Sequence, residues 1–431
     1  MFGSVPSTLA PENWPFSLEC LPQPAYMVGG AVRDAILGRT REYWDLDFVI
    51  PSNAVQVARA IARRYQAGFV SLDSERQIAR VVFPDATADF AQQEGESLET
   101  DLLRRDFTIN AIAYNPHTQE IIDPLHGCDD LQLGVLRMVS PGNLQDDPLR
   151  LLRAYRQASQ LGFTIEPNTQ NTIRALATQI CQVAAERVRV EIGYLLASSQ
   201  GTPWITKAGE DGLLTSFFKN ATPESFCQIA AVDQVATILA QHWPQLDVEV
   251  QQPVRDTVKT TWLGIAKLAC LVHPNPAVAE IELQELTYSR AEIRAITTAL
   301  RLFPQLKTAN TVREQYFLFQ EAGVVFGSTV VVALVNDTLV EAMSGTNPFR
   351  VYAPLISRYL NPDDLVAHPT QLVSGKNIMI ALNIPASPVV GQLLKEIGVA
   401  QAEGKISTPE EAIELAKKLL TIHDITFGHE T

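Results

Sequence analysis

Two aspartates two residues apart, in Trp44-Asp45-Leu46-Asp47-Phe48-Val49-Ile50, have the type and spacing for chemistry. On a strand, residues two apart share a face, so Asp45 and Asp47 point together while Leu46 and Phe48 enter a core. Paired carboxylates repel unless a cation lies between them. Oxygen ligands of this kind suit Mg²⁺, which commonly takes one or two carboxylates plus substrate phosphates. Alone, the same pattern also describes a solvated strand edge.

Other segments supply complementary groups. Met27-Val28-Gly29-Gly30-Ala31-Val32-Arg33-Asp34 sets two glycines between an apolar strand and a helix. Backbone N–H groups at Gly29 and Gly30 can approach a phosphate, with Arg33 one turn on. The alternative is a tight turn with Arg33 and Asp34 as a surface pair. Arg104-Arg105-Asp106-Phe107-Thr108-Ile109-Asn110 offers Arg105 as a triphosphate ligand, or as a surface cation beside a capping Asp106. In Asp146-Asp147-Pro148-Leu149-Arg150-Leu151-Leu152-Arg153-Ala154-Tyr155-Arg156, Pro148 fits a first helical position and makes Asp147 the expected N-cap. Arg150, Arg153 and Arg156 then form a band along that helix, which is also what an ordinary polar helix face looks like. Asp89, in the strand-like Ala86-Thr87-Ala88-Asp89-Phe90, is a candidate third carboxylate.

These residues need elements to hold them. The 431-residue chain is 46% hydrophobic and 19% charged, ordinary for a globular protein of several domains. Short apolar runs alternate with helical patterns from Tyr26 to about Arg137. After about Gly142 helical periodicity takes over, and residues 200–431 are expected to be mainly helical, broken at prolines such as Pro244, Pro276, Pro304 and Pro388. Thr408-Pro409-Glu410-Glu411 spells a capping box. The formal charge of −14 gives no global basic footprint, so any nucleic-acid surface must be local. Five cysteines without a Cys-x-x-Cys pair argue against zinc or a disulfide framework. The first residues lack a charged start and an apolar segment, arguing against a secretory signal. No apolar run is expected to span a membrane, since Gly327, Ser328 and Thr329 interrupt the longest. The reading is a cytoplasmic protein.

In this order, GGAVRD, WDLDFVI, RRDFTINAIA, DPLHGCDDL, DDPLRLLRAYRQASQLGF and AERVRVEI resemble the class II tRNA nucleotidyltransferase and bacterial poly(A) polymerase family over about residues 26–195. The stretch SGKNIMIALNIPASPVVGQLLKEI also looks like a segment of relatives. The resemblance implies an α+β protein with a polymerase-β-like nucleotidyltransferase head followed by helical neck, body and tail domains. The expected division is an irregular lead-in 1–24, head 25–140, neck 141–200, body 201–300 and tail 301–431, the tail binding RNA. It implies nucleotide contacts by Gly29, Gly30, Arg33, Arg105, Asp147, Arg150, Arg153 and Arg156, metals at Asp45 and Asp47, and a neck braced by Glu186-Arg187. The partners implied are the tRNA 3′ end and CTP, with ATP if a full CCA is made, under a two-metal mechanism with Mg²⁺.

The pocket makes chemical sense as well. Cytosine and adenine present an amino donor beside a ring-nitrogen acceptor; guanine and uracil present the reverse. Asp147 as acceptor and Arg150 as donor therefore select C and A, since each unpaired polar group costs about 1–3 kcal/mol. The short stretch from Asp89 to Arg105 resembles relatives that add only the two cytidines, placing CC-addition ahead of full CCA-addition and poly(A) synthesis. The competitors from other classes are a nucleotidyltransferase acting on a small molecule, which leaves the arginine helix unexplained, and a non-catalytic RNA-binding protein, which leaves Asp45 and Asp47 unexplained. His423-Asp424 stands alone, which argues against a fused phosphohydrolase.

Overall fold

The alternation after Tyr26 folds as a mixed seven-stranded sheet. The computed structural model describes residues 8–39, 43–255, 258–341 and 349–427, without the side chains of 258–259, 338–341 and 422–427. Its first elements are β1 (Tyr26–Val28), α1 (Gly30–Ile36), β2 (Trp44–Ile50), α2 (Ala54–Tyr65), β3 (Gly68–Asp73), β4 (Ile78–Val82), β5 (Ala86–Gln92), α3 (Leu98–Leu103), β6 (Ala113–Asn115) and β7 (Glu120–Ile122). The strand order is β3-β4-β5-β2-β1-β6-β7. Strands β2 and β5 are parallel, which requires a crossover; α2 and the β3–β4 hairpin supply it.

Strand alternation sorts β2 into two faces. Phe48 stacks on its register partner Phe90 with ring centroids 5.3 Å apart. Trp14 and Phe16 close over Phe48 at 5.1 and 5.7 Å. The lead-in expected to be irregular is therefore a packed cover in its described part, with Trp14 and Phe16 buried behind the strand that carries Asp45 and Asp47.

The chain continues through α4 (Gly127–Leu133), β8 (Val135–Leu136), α5 (Pro141–Asp146), α6 (Leu149–Leu161), β9 (Thr164–Ile165), α7 (Pro167–Leu176), α8 (Ala185–Leu196) and α9 (Thr202–Glu210). Gly127 is required by close approach: a Cβ there would stand 2.3 Å from the Thr108 carbonyl oxygen. Asp123 caps α4 by accepting the Gly127 and Cys128 N–H groups at 2.8 Å. Buried Asp211 ties the helices together, accepting from Tyr155, Gln170 (2.9 Å) and Arg174 (2.7 Å).

Two compact units result, Met1–Leu195 with Trp204–Ser216, and Leu196–Pro203 with Phe217–Thr431. The second holds α10 (Pro223–His242), α11 (Pro244–Gln251), β10 (Pro253–Arg255), β11 (Val258–Thr261), α12 (Trp262–Leu271), α13 (Pro276–Glu285), α14 (Arg290–Leu302), α15 (Val312–Ala322), α16 (Phe326–Glu341), α17 (Phe349–Leu360), α18 (Gly375–Leu382), α19 (Pro388–Ala402) and α20 (Pro409–Phe427). Pro244, Pro276 and Pro388 occupy first turns, where no N–H is needed, so they start helices rather than merely break them. The Thr408 box forms: Glu411 N–H donates to Thr408 at 3.2 Å, and Thr408 N–H to Glu411 at 3.1 Å.

The supposed interruption at Gly327-Ser328-Thr329 does not break the helical run. Thr329 returns its hydroxyl proton to the Val325 carbonyl at 2.9 Å, and Ser328 donates to the Trp262 carbonyl at 2.7 Å. The span Val312–Asp337, which takes in α15 and most of α16, is long and apolar enough by length and composition to cross a membrane, yet its apolar window is mostly buried inside the protein, as in the core of a globular protein.

Candidate active site

The turn between β1 and α1 brings backbone against charge. Gly29 has φ +71° and ψ −136°, a conformation that side chains disfavour. A Cβ at Gly29 would lie 3.5 Å from both Asp47 Oδ2 and Arg105 Nη1. Gly29, one carboxylate and one guanidinium therefore meet at one point. Arg33 is buried beside them, its Nη1 donating to Asn110 at 2.8 Å and its Nε and Nη2 to Asp34 at 2.9 and 2.8 Å. Arg33 and Asp34 are a buried pair that shapes the turn, not the surface pair of the alternative reading.

Asp45, Asp47 and Asp89 converge from β2 and β5. Asp45 is exposed and accepts from Thr87 Oγ1 at 2.8 Å. Asp47 and Asp89 are register partners. Arg80 grips Asp89 with two bonds of 2.7 Å, which hold the guanidinium above its ordinary value. Burial pushes the Asp47 carboxyl up to about 7, with the charges of Asp45 and Asp89 adding to it against Arg105 and Arg80. The donor set is the Asp45 and Asp47 carboxylates, with Asp89 already held by Arg80. It fits a divalent ion completed by substrate phosphates. Among the described residues, no group of three or more His, Cys, Asp and Glu side chains forms a closed metal cage.

Arg105 is positioned by a residue the sequence did not flag. Asp101 on α3 is fully buried, and its carboxylate accepts from Arg105 Nη2 at 3.2 Å, from Arg104 at 3.1 Å and from the Glu94 N–H at 3.1 Å. Arg104 also pairs with Glu94 at 3.1 Å. The Asp101 and Arg104 contacts both hold Glu94 in the short connection between β5 and α3.

The arginines of α6 do not form one free cationic face. Arg150 Nη1 donates to the carbonyls of Arg104 and Asn143 at 2.9 Å each. Arg153 reaches Asp106 at 3.4 Å, while Arg156 binds Glu191 and lies over the Tyr194 ring. Asp106 accepts the Phe107 N–H at 2.8 Å and Asn110 Nδ2 at 2.9 Å, so it is the turn cap expected of it. The helix begins one residue later than expected, at Leu149 with Pro148 as its N-cap, and Asp147 just before it accepts the Leu149 N–H at 3.3 Å. Arg187 of α8 binds the same carboxylate.

Asn110, Asn143 and Glu191 were also missed. Asn110 links Arg33, Asp106 and Gln157, and Asn143 Nδ2 holds the carbonyls of Leu103 and Arg105 at 2.7 Å each. Each is a single polar residue inside an apolar or helical run, without periodicity or pairing to announce it.

A family model for the "Poly A polymerase head domain" matches residues 25–137. A second, "Probable RNA and SrmB- binding site of polymerase A", matches 162–224, and one for a second domain of tRNA nucleotidyltransferases matches 256–416. The chain is 48% identical to a CC-adding tRNA nucleotidyltransferase of Synechocystis, covering 95% of this chain and 96% of that one. It is 31% identical to a CC-adding enzyme of Geobacter sulfurreducens, with 92% of each chain covered. It is 30% identical to an A-adding enzyme of Deinococcus radiodurans, covering 91% and 94%. Among solved structures, a CCA-adding enzyme with ATP superposes with a TM-score of 0.67 at 21% identity, covering 92% of this chain and 91% of that one. The Thermotoga maritima CCA-adding enzyme with tRNA gives 0.66 at 20%, with the same coverage. These two likenesses show the fold, a sheet-containing head followed by helical domains.

Proposed function

Since this chain belongs to the tRNA nucleotidyltransferase and poly(A) polymerase family, we propose that it adds two cytidines to the tRNA 3′ end from CTP, without a template. The observation that carries the reading is the convergence of Asp47, the Gly29 turn and Arg105 at one point, with Asp45 two residues from Asp47 on the same face of β2. Mg²⁺ held by Asp45 and Asp47 would acidify the RNA 3′-hydroxyl and steady the departing pyrophosphate.

The chain's own residues do the rest. Gly29 and Gly30 present backbone N–H groups to the triphosphate, and Arg105, fixed by Asp101, adds charge there. Asp147 accepts from the amino group of the base, and Arg150 donates to its ring nitrogen. Uracil and guanine would set carbonyl against carboxylate and N–H against guanidinium, losing both bonds. Arg153 and Arg156 act by holding Asp106 and Glu191 rather than by touching the base. Head 25–140 and neck 141–200 then hold the chemistry, and tail 301–431 binds the tRNA.

Two features favour CC-addition over A-addition or full CCA-addition. The Synechocystis CC-adding relative, at 48% identity, is much more similar than the A-adding one at 30%, and the β5–α3 connection is short and held at Glu94. The enzyme itself is tested by replacing Asp45 and Asp47 with Asn and assaying C-addition to a tRNA ending at its discriminator base. A loss of at least about a thousandfold, roughly 4 kcal/mol of barrier, is expected. Persisting incorporation refutes the reading.

A further inference from the structure

Asp147 and Arg187 lie forty positions apart in different helical segments, yet meet through two contacts. Arg187 Nη1 donates to Asp147 Oδ1 at 3.3 Å and Nη2 to Oδ2 at 2.9 Å. The Leu149 N–H takes a further position on Oδ1. An ionised carboxylate offers about four lone-pair positions, two per oxygen. Three are engaged, which leaves one, on Oδ2.

We propose that Arg187 is a specificity-determining positioning residue, fixing the Asp147 carboxylate so that its one remaining acceptor position meets the amino group of the incoming cytosine. This rests on the reading of Asp147 as the base-selecting carboxylate. The brace expected of Glu186-Arg187 then has a definite object, the group that chooses the base.

Exposure separates this role from a merely structural one. The Arg187 side chain is 51% exposed and that of Asp147 29%, and so wet a pair adds little to stability. Its effect on chemistry is larger. Without Arg187 the carboxyl can rotate, and in its protonated form it can donate to the O4 of uracil. Burial pushes the Asp147 carboxyl up, but Arg187, the Leu149 N–H and Arg150 together hold it below its ordinary value, as an acceptor. Arg150 is prepared in the same manner. Its Nη1 is committed to two carbonyls, which directs the rest of the guanidinium to a ring nitrogen.

The test is extension of a tRNA ending at its discriminator base with CTP alone and with UTP alone. It compares wild type, Arg187→Met, Arg187→Lys and Asp147→Ala, with kcat and KM for each nucleotide. Arg187→Met should raise the U-to-C ratio of kcat/KM by about tenfold, the value of one hydrogen bond, chiefly through KM for CTP. Arg187→Lys keeps the charge without the planar fork and should fall between. If both Arg187 variants keep the wild-type ratio while Asp147→Ala raises it, Arg187 has no part in selection and the Asp147 reading stands. If Asp147→Ala also leaves the ratio unchanged, the reading of Asp147 itself fails. Should Arg187→Met not fold, Arg187→Lys decides: a rise of about threefold supports the proposal and an unchanged ratio overturns it.

Discussion

Asp47 and Asp89 face each other on adjacent parallel strands, and Arg80 occupies both oxygens of Asp89. The third carboxylate is therefore beside the site without being available to it. Asp89→Asn should leave C-addition within about fivefold of wild type. The stability cost should be about 1 kcal/mol or less, because the Arg80 side chain is 38% exposed. Initial rates and a urea titration check both; a loss matching that of Asp47→Asn would make Asp89 a catalytic ligand.

Gly29 can be tested through its backbone. An alanine at φ +71° and ψ −136° is strained by about 1–3 kcal/mol. Its methyl group would also sit 3.5 Å from Asp47 and Arg105. Gly29→Ala should lower the melting temperature and raise KM for CTP together. Gly38→Ala serves as control: its φ is +66° and nothing lies within 4 Å, so it should lose stability with KM unchanged.

Asp101 holds Arg105 from a fully buried position. Asp101→Asn keeps the shape but loses the charge that three donors converge on. Stability should fall by about 2 kcal/mol, since Arg104 and Arg105 can partly rehydrate. KM for CTP should rise more than kcat falls. An unchanged KM in folded protein would mean that Arg105 holds its place without Asp101.

Acid should act through Asp211. Burial pushes its carboxyl up, but the hydrogen bonds from Tyr155, Gln170 and Arg174 outweigh that and hold it below the ordinary 3.8. A depressed carboxylate contributes stability that is fully present above the unfolded value and is lost as pH falls through the folded one. Wild type should therefore lose more unfolding free energy than Asp211→Asn between pH 5 and pH 3. Parallel acid limbs in denaturant titrations would remove this carboxylate from the account.

How much of this was legible depended on whether a residue belonged to a pattern. Asp45 and Asp47 announced their shared face through strand alternation, and Thr408-Glu411 its capping box through spacing. The change from mixed strands and helices to helices alone was readable from the periodicity near Gly142, whereas the α+β head with helical domains behind it came from the family resemblance. Trp14 and Phe16 were not readable as core, because two aromatics among prolines carry no period; only the sheet they cover gives them a place. Arg33, Arg153 and Arg156 were visible as cations, but their partners Asn110, Asp106 and Glu191 are distant in sequence, so the contacts that hold them were not readable. Asp101 shows the same limit from the other side: an ordinary acidic residue on a short helix until Arg104, Arg105 and Glu94 gather around it.

The central claim is that this chain writes CC and stops. Purified protein given a tRNA ending at its discriminator base with CTP and ATP together should add two cytidines and no adenosine. A tRNA already ending in CC should remain unextended with ATP. Addition of AMP to that second substrate at a rate comparable with C-addition would contradict the account.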